Sequence, residues 1–337
     1  LVDELEPTFP DRLPKTSVKA VDVPRGGIAG VHLWIEGLSA ENPIHLDVRG
    51  AGTLPKASWY RLIDVPVEEN TGPKSRTERW DKAENAHVVR DAPFRIYEIL
   101  KPVQQVIDIK SEQILIRVQW SIPLNAIAGA YDLDLVVSQG DTETVTPLTL
   151  HIHSAAIPPP GSDTLGYTNW FSPGNIAQYH DLAVWSEPFW RMLEQYAAMM
   201  AYGRQNMFWV RWPDFFTRVE GQWKLQPERL VRYVDLFSDA GLYWIEGAPF
   251  AGRPNGDWSS EVLELKLGGD QLTSDRGITM FAHQASQIHD LMVEQDWAHR
   301  WVQHIADEPT DVNAKDYCRA AELLRTHLPG VPLFEAT

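Results

Sequence analysis

One cysteine, Cys318, stands in 337 residues. That excludes an intrachain disulfide and a cysteine-built zinc site. Its place in a helical stretch (311–328) predicts a buried, inert thiol. Long apolar runs are missing too: none reaches the roughly 18 residues that a membrane-spanning helix needs. Cations are outnumbered, 30 Lys and Arg against 46 Asp and Glu, for a net charge of −16. The balance argues against a nucleic-acid partner, because phosphate contacts need clustered Lys and Arg. No signal-peptide pattern is visible, although the expected location is extracellular or periplasmic.

What the chain does have is a 44% hydrophobic content, enough for a real core,. Its length suits two or three domains. Fourteen tryptophans are many for that length. They serve either as core packing or as flat platforms for the apolar faces of sugar rings, and composition does not separate the two.

Two kinds of patterning divide the sequence. Residues 18 to 153 hold short runs rich in Val, Ile, Leu and Trp: 31–38, 43–50, 95–100, 113–120, 131–138 and 145–154. Several alternate with polar residues at a period of two, which predicts strands. The turn residues of "SQGDTE" (138–143) predict a hairpin between the last two,. A polar loop is expected over 69–86. The reading for residues 1–154 is an antiparallel β-sandwich. "AAIPPPGSD" (155–163) then reads as a linker that three prolines stiffen,.

From 164 to 337 strands and helices alternate. Strands are expected at 165–171, 206–212, 242–247, 301–306 and 331–336, and helices at 186–203, 227–241, 279–295 and 311–328. Ser186 is the expected N-cap of the first helix, Pro188 lies in its first turn and Gly203 stops it. Such alternation predicts parallel strands with helical crossovers, the grammar of a (β/α)₈ barrel. Five strands are expected here, where a closed barrel has eight.

In a barrel the chemistry lies at the C-terminal strand ends. Those ends carry Asn169 and Trp170, then Arg211, Trp212 and Asp214, then Glu246, then Asp307 and Glu308, and last Glu335. Strand ends are polar for solvation alone, so any one of these has a plain explanation. The pair Asp307–Glu308 is different. Two adjacent acids close an apolar strand, "WVQHIA", and a proline follows. A carboxyl beside a like charge tends to keep its proton, which is what a general acid needs.

"HIADEP" (304–309) on the fourth strand, after an N-terminal β-rich half and a proline-rich linker, resembles glycoside hydrolase family 123. The resemblance implies a β-N-acetylgalactosaminidase acting on a glycan, with no cofactor. It implies Glu308 as the acid/base at the glycosidic oxygen. Asp307 would orient the substrate's 2-acetamido group, whose oxygen attacks the anomeric carbon to give an oxazolinium ion. This substrate-assisted route departs from the usual two-carboxylate scheme. The family's further sugar-binding residues on the last strands have no counterpart in this sequence.

Trp170, Trp212 and Trp258 are the expected sugar platforms, with Trp258 in the Gly/Pro/Asn-rich loop "AGRPNGDWSS" (251–260). Trp244 is a further candidate platform, with core packing as the alternative because it lies inside a strand, and Trp301 opens a strand and reads as packing. His304 reads as a buried, satisfied histidine, and "HIH" (151–153) offers too few ligands for zinc. No metal is expected. Two other readings stay open. One is a two-carboxylate retaining glycosidase, a class in which Asn-Glu-Pro is common at this strand end. The other is a non-catalytic carbohydrate-binding protein on a degenerate barrel.

Overall fold

The computed structural model describes residues 1–50, 52–69 and 89–335. Apart from Glu69, the polar loop expected over 69–86 lies outside the described residues. The chain divides into two units, Leu1–Pro158 and Pro159–Thr337.

Among the described residues, nine strands build the first unit: β1 (Ala20–Arg25), β2 (Ile28–Glu36), β3 (Ile44–Arg49), β4 (Ser58–Val67), β5 (Phe94–Val103), β6 (Val106–Ile107), β7 (Gln113–Ser121), β8 (Gly129–Gln139) and β9 (Thr142–Ala156). They form two sheets, β1-β9-β8-β3-β6 and β2-β7-β4-β5. Period-two patterning sets their faces. In β3, Ile44 and Leu46 are buried while His45 and Asp47 are exposed,. Side chains from both sheets, among them Val31, Ile116, Leu135 and Leu150, share one core. The predicted hairpin joins β8 to β9, with Gln139 opposite Thr142 and Gly140 at φ 57° in the turn. One sheet is mixed rather than antiparallel, because β1 runs parallel to β9. That pairing also carries β9 past the expected boundary: Ala156 lies opposite Arg25, and the Ile157 N–H donates to the Arg25 carbonyl at 2.8 Å.

Among the described residues, the second unit has eight strands and five α-helices. Its strands are β10 (Met207–Val210), β11 (Phe216–Val219), β12 (Gln222–Leu225), β13 (Trp244–Gly247), β14 (Ala251–Gly252), β15 (Glu264–Leu265), β16 (Trp301–His304) and β17 (Leu333–Phe334). Its helices are α1 (Pro173–Tyr179), α2 (Glu187–Tyr202), α3 (Pro227–Asp239), α4 (Asp275–Glu294) and α5 (Ala314–His327). β10-β13-β16-β17 form one parallel sheet in that order, with α3, α4 and α5 as the successive crossovers,. The helix signals act as expected. The Ser186 hydroxyl accepts from the Phe189 N–H, and Gly203 caps the other end of α2. Ser274 caps α4, which begins four residues before the expected start.

Three expectations fail. The segment 165–171 is not a strand. Of its backbone groups only those of Tyr167 bond to the neighbouring chain, the carbonyl accepting from the Asn206 and Met207 N–H groups. The Asn206 side-chain oxygen takes the Tyr167 N–H, and its amide group donates to Gly161, Thr164 and the Thr164 hydroxyl. A buried side chain thus substitutes for a strand ladder. β17 is shorter than the expected 331–336, and residue 336 lies outside the described residues. Cys318 is exposed rather than buried.

Register decides which residues face which side of the parallel sheet. Trp209 is opposite Glu246, Glu246 opposite Val302, and His304 opposite Phe334. Side chains alternate along a strand, so these five share one face. Phe208 and Ile245 take the other, where Phe208 stacks on Phe237 of α3 at 4.9 Å. The face turned from the helices is the one that carries ionisable groups.

Candidate active site

Glu246 and His304 lie on adjacent strands, two residues out of step, and both are fully buried. The Glu246 Oε1 sits 2.7 Å from the His304 Nε2 and accepts a hydrogen bond from the Trp170 Nε1 at 2.9 Å. Its Oε2 is buried and accepts no hydrogen bond from the described residues. On the other side of the ring, the His304 Nδ1 lies 3.4 Å from the Glu335 Oε2. Burial by itself would lower the His304 pKa. Hydrogen bonds to Glu246 and Glu335 outweigh it and lift the pKa to about 9, so the ring is a cation at neutral pH. Aromatic edges and faces enclose it: Trp170, Trp209 and Phe334 all meet the imidazole at 5.0 to 5.6 Å. Trp170 stacks on Trp209 at 4.7 Å and remains 48% exposed. It therefore roofs the buried cluster while offering an outer surface to solvent.

The second oxygen of Glu335 works on the backbone. Its Oε1 accepts from the Ile305 N–H at 2.5 Å and the Ala306 N–H at 2.9 Å, the two donors just past the end of β16. Charge-assisted bonds of this kind are strong and directional. They fix how the chain leaves the strand, and the next two residues are Asp307 and Glu308. Both acids are exposed. Among the described residues neither side chain has a hydrogen-bond or ion-pair partner. Glu308 has φ 47°, a left-handed value that costs a non-glycine residue about 1 kcal/mol or more,. Arg253 holds the turn from behind. Its Nη1 donates to the Asp307 carbonyl at 3.0 Å, and its Nη2 donates to the Glu308 carbonyl. The guanidinium lies over the Trp258 ring at 4.1 Å.

Against known proteins, no family model matches the sequence, and no curated protein matches it. Solved structures do match. A family 123 glycoside hydrolase from Clostridium perfringens, whose structure is described for the details of glycolipid glycan hydrolysis, superposes with a TM-score of 0.65 over 91% of this chain. The fold resembles that of a family 123 glycoside hydrolase. Identity is 12%, so the likeness speaks of fold, and the chain spans 58% of that enzyme's length. A Bacteroides fragilis protein assigned provisionally as an alpha-galactosidase covers 98% of this chain and 51% of its own at 13% identity, but its TM-score of 0.27 carries no argument.

Within this family 123-like fold, the residues singled out at the strand ends have different fates. Glu246, Glu335 and Trp170 converge on His304. Asp307 and Glu308 follow directly from the strand that carries it. Asn169 turns away, donating to the Tyr167 hydroxyl at 3.0 Å and to the Gln205 side-chain oxygen at 3.2 Å. Asp214 lies in a short 3₁₀ turn, 3.7 Å from Arg211; burial pushes its carboxyl upward against the pull of that cation. Trp212 is a correction. It is fully buried, stacks on Phe250 at 4.3 Å and donates its indole N–H to the Ala248 carbonyl at 2.8 Å. The 3₁₀ turn rotates it into the core, so it offers no face to a sugar. Trp258 is 58% exposed. Two participants went unseen in the sequence. Trp209 was lost among strand-interior residues, and register with Glu246 is what reveals it. Arg253 is the only cation of its loop, and its partners are backbone carbonyls, which no sequence pattern marks. Among the described residues, no group of three or more His, Cys, Asp or Glu is arranged to hold a metal, and no helix is long and apolar enough to cross a membrane.

Proposed function

We propose that the protein is a glycoside hydrolase that removes a terminal β-linked N-acetylhexosamine, with N-acetylgalactosamine as the first candidate, by substrate-assisted retaining catalysis. The observation that carries the reading is the Asp307–Glu308 turn. Two carboxylates without a hydrogen-bond or ion-pair partner among the described residues stand exposed at the C-terminal end of a parallel strand, on a backbone held from two sides. A structural acid pair would instead be matched by cations.

In this reading Glu308 gives its proton to the glycosidic oxygen as the bond to the anomeric carbon breaks. The acetamido oxygen forms the new bond to that carbon, and the nitrogen acquires positive charge. Asp307 accepts the acetamido N–H and stabilises that charge, an electrostatic contribution that grows toward the transition state. Water then opens the oxazolinium ring, and Glu308 takes its proton. Trp170 and Trp258 offer apolar ring faces on which the sugar can stack.

The test uses the full-length protein, an aryl 2-acetamido-2-deoxy-β-galactoside and its 2-hydroxy counterpart. A thiazoline mimic of the oxazoline is expected to inhibit tightly, and the 2-hydroxy substrate is expected to turn over poorly. Comparable hydrolysis of both substrates would overturn the substrate-assisted mechanism in favour of the two-carboxylate scheme. Glycan binding without turnover, unchanged in Glu308→Gln, would overturn the enzyme reading itself.

A further inference from the structure

Arg253 makes three contacts that belong together. Its fork donates to the carbonyls of Asp307 and Glu308, the two residues read above as catalytic. Its flat face covers one side of the Trp258 ring. Trp258 is nevertheless 58% exposed, so its opposite face is turned to solvent. We infer that Arg253 is a positioning residue: it sets the backbone of the acid turn and, through the same guanidinium, holds Trp258 as a stacking platform for a pyranose ring next to the two acids. The inference deepens the glycosidase reading and rests on it for the identity of the sugar.

The geometry needs arginine. A lysine ammonium is a compact point charge and does not span two carbonyls with fixed angles while stacking on an indole. The turn also needs holding, since Glu308 occupies a left-handed conformation that an unsupported glutamate would leave,. Glu335 fixes the N–H groups of Ile305 and Ala306 on entry to the turn. Arg253 fixes the carbonyls of the next two residues. Four consecutive residues, 305 to 308, are thereby each bonded through one backbone group to side chains from two other segments. The acid side chains themselves have no partner among the described residues. Trp258 stands one guanidinium away from that turn, in a loop whose own anchor is local: Asp257 accepts from the Ser259 N–H and hydroxyl.

The experiment compares Arg253→Lys, Arg253→Ala, Trp258→Ala and Trp258→Phe in the full-length protein. Amide hydrogen exchange comes first, because it does not depend on activity. Arg253→Ala is expected to speed exchange over residues 305–310 by about tenfold, with the amides of β10 and β13 unchanged. No change at 305–310 would overturn the clamp. A rise spread over the whole second unit would overturn it too, by showing a general structural role. Turnover of the aryl glycoside comes second. Both arginine variants are expected to lose kcat by roughly 10²-fold with KM within about threefold, the signature of misplaced rather than missing groups. Added guanidinium should restore part of the loss in Arg253→Ala. The platform is read by saturation transfer from protein to the ring protons of free N-acetylgalactosamine. The signal is expected to fall in Trp258→Ala and to survive in Trp258→Phe; an unchanged signal in Trp258→Ala would overturn the platform. A wild-type protein that turns over no glycoside would defeat the functional reading, while exchange and saturation transfer would still decide the clamp and the platform.

Discussion

A protonated His304 sits between Glu246 and Glu335, out of reach of solvent. Its pKa rises from an ordinary 6.5 to about 9, which corresponds to roughly 3 kcal/mol of preference for the charged ring. The folded state holds the proton more tightly than the unfolded chain does. This contribution is therefore complete below pH 6.5 and is lost as pH climbs through about 9. Urea unfolding at pH 6.5 and 9.5 should show that loss in the wild type, and His304→Gln should flatten the difference; an equal slope in both proteins would defeat the assignment. The acid pair invites a different comparison. Glu308→Gln should slow an aryl glycoside with a poor leaving group far more than one with a good leaving group, general acid help being worth ~10²–10⁴-fold. Asp307→Asn should slow both alike, since it acts on the nucleophile side. Azide should partly rescue Glu308→Ala and do little for Asp307→Ala. Two tryptophans complete the residue scale. Trp212→Ala should cost about 3–5 kcal/mol in stability, whereas Trp258→Ala should stay within about 0.5 kcal/mol, as read from denaturant midpoints. The adjacent acids were legible in sequence because like charges side by side at a strand end are conspicuous. Trp212 was misread because a strand end was equated with exposure, and the short 3₁₀ turn that reverses it leaves no comparable mark.

At the scale of elements, the most informative stretch is the one that failed to become a strand. Residues 165–171 have the apolar and aromatic content of a strand, but the neighbouring chain offers Tyr167 a side chain instead of a ladder. Asn206 is fully buried and bonds to four groups of the 161–167 segment. Asn206→Leu should leave those groups unpaired at a cost of about 1–3 kcal/mol or more. Trypsin does not cut this stretch, so chymotrypsin at Tyr167 and exchange of its amide are the measurements; unchanged protection would show that the segment is held by other contacts. A helix start was legible at Ser186, where a hydroxyl cap precedes an apolar period, whereas the Ser172 cap of α1 and the Ser274 cap of α4 went unread. β1 and β4 went unread too, for a shared reason. Pro24 and Pro66 interrupt their alternation, and proline inside a run argues against a strand. Both strands tolerate it here.

Each unit of the whole molecule keeps its own core. The buried cluster of the first unit runs from Val23 to Ile152, and that of the second from Ile176 to Val331, with no residue in common. Leu150→Ala should cost about 2–5 kcal/mol of local stability and speed exchange in β8 and β9. The amides of β13 and β16 should keep their rates; acceleration there would mean that the units unfold as one. The change of grammar at the proline run made the two-part organisation readable from the sequence. The mixed sheet was not readable, because β1 finds its parallel partner more than a hundred residues away. Distance along the chain has a further consequence, one of timing. The carboxylate that fixes the exit of β16 belongs to Glu335, and it is synthesised after Asp307 and Glu308. Chains grow from the amino end at roughly 5–20 residues per second. For a second or more, a nascent protein carries both acids on a turn that still lacks one of its two anchors. The turn is thus anchored only after its own acids have been made, however early β10, β13 and β16 have paired.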